Sequence, residues 1–314
     1  MDGLIGNLMR EYITHLKQAC NLEPQTIKAS TRQLSVFLNY LNIREIQSLD
    51  RLDQSCLINF VNSLDGYSIE SKHSTLLKVK QFLKYLNGRQ ILPIQYSELI
   101  TSYKFTKQRR LPSYYSREEI CRLIKSIDKA NPTGKRDYAM ILLAARLGLR
   151  SSDIIGLRFD EISWDRQLVI LNQKKTKQAI ELPLLEDVGA AIINYLKCGR
   201  PQSELSSIFL CHKAPFDGMN ISNLNVILKK YMVHAGINFD ERKHGPHSLR
   251  VSLATNLLTN ETPLPVISGV LGHVSQQSTM CYLKVDINSL RKCALPVAAV
   301  SINTDQANKK EGEK

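Results

Sequence analysis

From Thr101 to Ser116 the chain reads TSYKFTKQRRLPSYYS, and the apolar periodicity that precedes this stretch stops. Lys104, Lys107, Arg109 and Arg110 gather ahead of Pro112. A charged run with no repeating apolar position has no face to bury, so it reads as a basic linker. The sequence on either side must then build a core of its own. A length of 314 residues suits two domains, and a hydrophobic content of 43% supplies a sizeable core and excludes a disordered chain.

Ahead of the break the pattern is helical. QLSVFLNYL places Leu34, Phe37, Leu38 and Leu41 on one stripe, and HSTLLKVKQFLKYL does the same with Leu76, Val79, Phe82, Leu83 and Leu86. Asp65-Gly66 marks a turn before the second stripe. Further helices are expected over 4–19 and 53–64, giving a bundle of about four helices in a domain spanning 1–103. Lys28, Arg32, Lys72, Lys78, Lys80 and Lys84 punctuate it, either as a solvated face or as a surface for an anion.

Beyond a linker over 104–113, the spacing changes character. Ser116 and Glu119 form a capping-box pattern that opens a helix, and an apolar helix runs from Asp137 to Leu147 until Gly148 ends it. Gln167 to Asn172 and Ala179 to Leu185 are short β-type runs separated by the basic turn from Gln173 to Lys177, and Phe159 to Trp164 is a candidate first strand. Helical spacing returns over 186–197, 222–235, 247–259 and 263–271. The fold class is therefore mainly α with a small β-sheet, the second domain spanning 114–300. A polar tail over 301–314 is expected to be disordered.

The net charge of +13 points to a polyanionic partner, with nucleic acid first. The longest apolar run, YAMILLAARLGL, is too short to span a membrane and contains Arg146, and no secretory signal is expected in the first twelve residues. The seven scattered cysteines form no C-x-x-C pair and read as buried free thiols of a reducing, cytoplasmic compartment. Trp164 reads as a core residue.

Four stretches carry residues of convergent chemistry. They are LGLRSSDIIGL with Arg150, QKKTKQAIELPL with its lysine-rich turn, HGPHSLRVSLATNLL with His247 and Arg250 on one helical face, and LGHVSQQSTMCYLKVD. The last contains His273 and, nine positions on, Tyr282 beside Cys281. In this order and spacing the chain, over roughly 112–293, resembles the tyrosine recombinases, the phage-integrase family that includes the lambda-type and Xer-type site-specific recombinases. The helices before the linker resemble that family's core-binding, SAM-like domain by architecture more than by motif.

The resemblance implies a catalytic set of Arg150, Lys175, His247, Arg250, His273 and Tyr282, with Tyr282 as nucleophile. Counting back from Pro183 selects Lys175, and a one-residue slip would select Lys174. Val251 departs from the histidine that many relatives carry there. Physical chemistry agrees with the set. Two arginines clamp non-bridging phosphate oxygens with donors that stay charged, a lysine on a turn protonates a leaving oxygen, and a phenol of pKa ~10 needs nearby positive charge and a base such as His247. Neither a metal nor a cofactor is expected, because the cations supply the charge a metal would bring.

Bland readings stand beside these. Arg150 could cap a helix, Asp153 reads as the partner that holds Arg150, and Lys174, Lys175 and Lys177 could be a solvated or phosphate-facing patch. His244 and His247 form H-x-x-H, but no third ligand follows at helical spacing, so zinc is not expected. Lys229, Lys230, Arg242 and Lys243 are candidate phosphate contacts. Cys281 lacks the arginine that a phosphate-cradling thiol would have, since Ile287 stands there, and reads as a small buried packing residue.

The expected function is site-specific DNA recombination through a 3′-phosphotyrosine and a Holliday junction, in a mobile-element integrase or transposase. The alternatives are a Xer-type dimer resolvase, a type IB topoisomerase and a catalytically silent DNA-binding regulator. Expected partners are double-stranded recombination sites and a homo-tetramer on DNA, with a hetero-partner recombinase or an accessory DNA-bending or directionality protein also open, and no membrane; a nucleoid-associated, cytoplasmic location follows. Relatives pass a C-terminal segment to a neighbour, and Asp286 to Val300 offers apolar residues for that exchange or for docking in cis.

Overall fold

Two compact units, Met1–Arg109 and Arg110–Lys314, make up the chain in a computed structural model that describes residues 3–93, 95–100, 113–275 and 277–282. The division falls inside the basic stretch. The expected linker up to Pro112, the segment after Tyr282 and the polar tail over 301–314 lie outside the described residues.

The first unit is built from α1 (Gly3–Gln18), α2 (Pro24–Ile43), α3 (Gln54–Ser63), α4 (Ile69–Gly88) and the short α5 (Gln95–Leu99). Its helix starts follow local chemistry. Proline opens α2, the Asp53 carboxylate accepts the Cys56 N–H at 2.7 Å, and Ser68 caps α4 through the Ser71 N–H. Both expected stripes are buried: Leu34, Phe37, Leu38 and Leu41 of α2 join Leu76, Val79, Phe82, Leu83 and Leu86 of α4, with Phe60 of α3 tilted against Phe37 at 4.7 Å between ring centres. Two of the punctuating lysines have partners within the unit. Lys72 pairs with Asp65 at 2.6 Å, and Lys80 donates to the Ile100 carbonyl at 3.1 Å.

The second unit contains α6 (Arg117–Lys125), α7 (Pro132–Arg146), α8 (Ser151–Ile155), β1 (Ile162–Ser163), β2 (Leu168–Asn172), β3 (Ala179–Pro183), α9 (Glu186–Cys198), α10 (Ile221–His234), α11 (Pro246–Thr259), α12 (Leu264–Leu271) and α13 (Gln277–Met280). The strands form an antiparallel sheet in the order β1-β2-β3, with Val169 opposite Leu182 and Leu171 opposite Ile180. Those four side chains are buried on one face, as period-two spacing requires. Helix α7 lies at the centre, with every residue from Ala139 to Ala145 buried. Its N-terminal half is held by a buried network. The Arg136 guanidinium donates to Asp137 and to the Leu210 carbonyl, and Tyr231 of α10 donates to the other Asp137 oxygen at 3.1 Å. A helix fixed in this way delivers its C-terminal end, and the residues just after it, to a set position.

Some expectations are corrected here. Helix α7 begins at Pro132, five residues before Asp137, because Asn131 caps it ahead of a proline at its first position. The first strand shrinks to Ile162–Ser163, since Phe159–Glu161 close a 3-10 turn instead. Trp164 is 40% exposed rather than core: it follows an edge strand of only two residues, which has no interior to offer it. Of the described cysteines, Cys56 is buried while Cys20, Cys121, Cys198 and Cys281 are exposed, so the thiols are mostly not packing residues. Cys293 lies outside the described residues.

Candidate active site

Three sharp chain reversals bring distant segments together. The first follows α7. Gly148 adopts φ +63°, and a Cβ there would sit 3.0 Å from both Leu253 and Leu271, so only glycine fits the exit. Two residues later Arg150 occupies the N-cap position of α8, which replaces the reading of a helix C-cap.

The second reversal ends α12. Gly272 is left-handed at φ +58°, its N–H donates to the Gly269 carbonyl at 2.9 Å, and the His273 N–H donates to the Ser268 carbonyl at 3.0 Å. This paired closure is a Schellman motif, written in the sequence as Leu-Gly-His. It fixes His273 and leaves the Leu271 and Gly272 carbonyls facing the other segments. Arg250, on the first turns of α11 after the Gly245-Pro246 start, reaches across to them. Its Nη1 donates to the Gly148 carbonyl at 2.6 Å and its Nη2 to the Leu271 carbonyl, and the side chain is only 2% exposed.

The third reversal is the turn between β2 and β3. Gln173, fully buried, accepts from Arg150 Nη1 and from Thr176 Oγ1 (2.7 Å) and donates to the Leu271 carbonyl at 3.2 Å. Arg150 Nη2 also approaches the Gly272 carbonyl at 3.4 Å. Asp153 was expected to hold Arg150 and does not bond to it. Its Oδ1 accepts from the Lys174 N–H at 3.0 Å and from Ser152, and it acts on Arg150 by charge alone. The two lysines diverge. Lys174 lies across Gly156, where an added Cβ would meet its Nζ, and acts on Glu161, whereas the charge of Lys175 is felt at His247.

Tyr282 packs among Val251, Ala254, Ile267 and Leu271 with 3% exposure. Its ring stacks on His273 at 6.1 Å between centres, and its hydroxyl engages Arg250. His273 Nδ1 shares a 2.8 Å hydrogen bond with Thr279 Oγ1 on α13, which leaves Nε2 for other work. Arg150, Arg250, His273 and Tyr282 therefore meet directly or through the adjacent Leu271 and Gly272 carbonyls; His247 lies within electrostatic reach of Arg250, Arg150 and His273, and Lys175 within reach of His247. Cys281, next to Tyr282, is exposed and points its thiol at the Ser278 carbonyl. It is not a packing residue, because the buried position in this turn belongs to the tyrosine.

Burial and the neighbouring cations together set the protonation states. Desolvation, then Arg250, Arg150 and His247, push His273 down to about 4, so its ring is neutral near pH 7. Desolvation lowers His247 too, followed by Arg250, Lys243, Lys175 and Arg150. The outer face of His247 is exposed to water, which weakens the desolvation cause and leaves the four cations as the firmer one. Burial raises Tyr282 above the usual phenol value, as does Cys281, while Arg250 and Arg150 pull the other way. Burial lowers Arg250 to about 10, with Arg150 adding to the shift, and the group stays cationic at neutral pH. Together these groups offer fixed positive charge, a neutral imidazole able to accept a proton and a protonated phenol, which is the equipment for displacement at a phosphate.

Other expected positions are placed differently. Arg242 is bound internally, with both Glu119 carboxylate oxygens at 3.1 and 2.7 Å and its guanidinium over the Tyr115 ring, so it does not stand as a phosphate contact. Lys229, Lys230 and Lys243 are exposed. His244 lies tilted against Phe239, with ring centres 4.9 Å apart, rather than pairing with His247. Among the described residues no group of three or more His, Cys, Asp or Glu side chains could hold a metal ion, and no helix is long and apolar enough to cross a membrane. Gln173 and Thr279 were not anticipated. Gln173 stands immediately before the lysine turn, but one glutamine at a strand end carries no spacing signal.

Comparison with known proteins adds independent findings. Residues 114–288 match the phage integrase family, and residues 9–101 match the phage integrase N-terminal SAM-like domain. The Sinorhizobium fredii protein named integrase/recombinase y4rA is 33% identical over 290 residues, covering 92% of this chain and 70% of that one. Tyrosine recombinase XerD of Staphylococcus epidermidis is 26% identical over 298 residues, covering 92% and 97%. The crystal structure of XerH site-specific recombinase bound to palindromic difH substrate, a post-cleavage complex, shares the fold with a TM-score of 0.70 at 19% identity, over 90% of this chain and 83% of that one.

Proposed function

The chain belongs to the phage integrase family of tyrosine recombinases, and from that membership we propose that it cuts and rejoins DNA site-specifically, with Tyr282 as the nucleophile. The observation that carries this reading is the convergence of Arg150, Arg250, His273 and Tyr282, from three separated stretches, around the Leu-Gly-His turn.

In the proposed reaction the Tyr282 oxygen attacks the scissile phosphorus while His247, neutral, accepts the phenol proton. Arg150 and Arg250 bind the non-bridging oxygens, whose charge grows as the displacement proceeds, and His273 donates to the same phosphate through Nε2. The P–O5′ bond breaks, and Lys175 gives its proton to the departing 5′-oxygen. The product is a 3′-phosphotyrosine that keeps the phosphodiester energy, so a 5′-hydroxyl from a second duplex can displace the tyrosine and return the proton. Repeating this exchange within a tetramer passes through a Holliday junction.

The first choice of biological role is integration of a mobile element, supported by the likeness to integrase/recombinase y4rA. The Xer-type resolvase reading is supported by the near full-length match to XerD. The test is a suicide duplex nicked beside the scissile phosphate. Wild-type protein is expected to form a covalent adduct, and Tyr282→Phe to bind the DNA without forming one. An adduct in that variant, or none in wild type, refutes the assignment. Binding should weaken steeply with salt, by about −0.9 in log–log slope for each phosphate neutralised. Target-site placement in the host genome separates the two roles.

A further inference from the structure

The proposed chemistry uses Arg150 and Lys175, which lie on different elements, and one buried side chain connects the two. Gln173 ends the residues that lead β2 into its turn. Its backbone closes that turn, with its N–H donating to the Gln178 carbonyl at 2.9 Å and its carbonyl accepting the Lys177 N–H at 2.8 Å. Its side-chain Oε1 accepts from Arg150 and from Thr176, the residue after Lys175, and its Nε2 donates to Leu271 on the turn that fixes His273. All the hydrogen-bonding groups of this side chain face functional segments, and none faces water. Gly272 has a reason beyond its left-handed φ, since a Cβ there would come within 2.5 Å of the Gln173 amide nitrogen.

We propose that Gln173 is a positioning residue for DNA cleavage, aiming Arg150 at the scissile phosphate and, through Thr176, setting the approach of Lys175 to the leaving oxygen. The inference rests on the proposed recombinase activity. It makes Gln173 the joint between the group that steadies the phosphate and the group that protonates the leaving oxygen. Such a joint acts through rate rather than affinity, because a misplacement of about 1 Å at reacting atoms costs on the order of 100-fold in rate.

Two substitutions divide the joint. Thr176→Val removes only the link to the lysine turn. Gln173→Met fills the same volume and removes every side-chain link, leaving the backbone bonds of the turn in place. Each protein is measured for single-turnover adduct formation on two nicked duplexes, one with the ordinary 5′-bridging oxygen at the scissile phosphate and one with sulfur there. A bridging sulfur leaves as a thiolate, whose conjugate thiol has a pKa of ~8.5, so its departure does not require the lysine proton. The expected result is that Thr176→Val slows the oxygen substrate by about tenfold and cleaves the sulfur substrate within about twofold of wild type. Gln173→Met should slow the oxygen substrate by about 100-fold and remain slow on sulfur, because Arg150 is displaced as well. DNA affinity should stay within about threefold of wild type in both.

Wild-type rates for Gln173→Met on both substrates overturn the proposal. So do equal losses on both substrates for Thr176→Val, or losses that follow a fall in Tm or in DNA affinity. Wild type and Tyr282→Phe run alongside. An adduct with Tyr282→Phe, or none with wild type, removes the recombinase reading and this inference with it, whereas normal controls with unaffected variants remove the inference alone.

Discussion

Arg250 and the lysine turn represent two ways of placing positive charge in one site. Arg250 is buried and bonded to two backbone carbonyls, so the same guanidinium that would meet a phosphate also ties the end of α7 to the end of α12. Lys175 stands exposed on a turn between strands, and the turn is anchored beneath it by Gln173 and by the bond from Lys174 N–H to Asp153. At the first position chemistry and stability depend on the same bonds. At the second they are separate, which suits a proton donor that has to move with its leaving group. Substituting the first should disturb folding and reaction together, and substituting the second should disturb reaction alone.

The largest effect is expected from Arg250→Lys. The charge is kept but the planar fork is lost, and a lysine cannot reach Gly148 and Leu271 together with a phosphate. Adduct formation should fall by about 10²–10³-fold, as for loss of a transition-state donor. Stability should fall by about 1–3 kcal/mol for the carbonyl left unpaired, read from denaturant unfolding. Full stability alongside lost activity would mean that the buried bonds are not what holds α7 to α12, and the contrast with the turn would collapse.

Lys175→Ala comes next. Adduct formation should drop by about 10²-fold or more, with Tm unchanged within error and recovery on the sulfur-bridged substrate. Lys174→Ala is the internal control, because its side chain lies over Gly156. If Lys174→Ala gives the larger loss, the two lysines have been assigned in the wrong order.

The same contrast explains what was legible in the sequence. The stripes of α2 and α4, the capping box of α6 and the glycine that ends α7 were readable because each is local: a period, a cap or a Gly148 that turns left-handed. Helices α5, α8 and α13 are five residues or fewer, too short to display a period, and they were missed. The site residues were legible only as an ordered set of motifs, since no single arginine or histidine differs by composition from a surface one. Partners across long separations were not legible. Gln173 lies 98 positions from the carbonyl it donates to, and the reading of Asp153 as the residue holding Arg150 failed because proximity in sequence stood in for contact. Exposure of Trp164 and of the cysteines was misjudged for a related reason: residue type fixes a tendency to be buried, and the neighbouring elements decide it.

A smaller disturbance probes the buried side of the contrast without removing a charge. Gly272→Ala places a Cβ in a left-handed position and against the Gln173 amide. The backbone cost is about 1–2 kcal/mol. Unfolding experiments should show at least that loss, and adduct formation should fall with it as Gln173 is pushed from Arg150. A stability change near zero would mean that the turn has room to relax, and that Gln173 is held less firmly than its hydrogen bonds imply.

The smallest effect concerns His273, which stacks on Tyr282 and feels the charge of Arg250 and Arg150. Its folded pKa is about 4, below the ordinary ~6.5 of an unfolded histidine. Between those values the unfolded chain binds a proton that the folded chain does not, so stability must fall as pH is lowered through that window and be fully recovered above it. His247 contributes in the same direction, because its pKa is also depressed. His273→Gln removes one of the two titrations and keeps a donor in the site. Its Tm should therefore drop less than that of wild type between pH 7 and pH 4.5, while the two proteins respond alike between pH 7 and pH 8. Equal drops on the acid side would show that His273 protonates in the folded protein as readily as in the unfolded chain, and that neither its burial nor Arg250 and Arg150 hold it neutral.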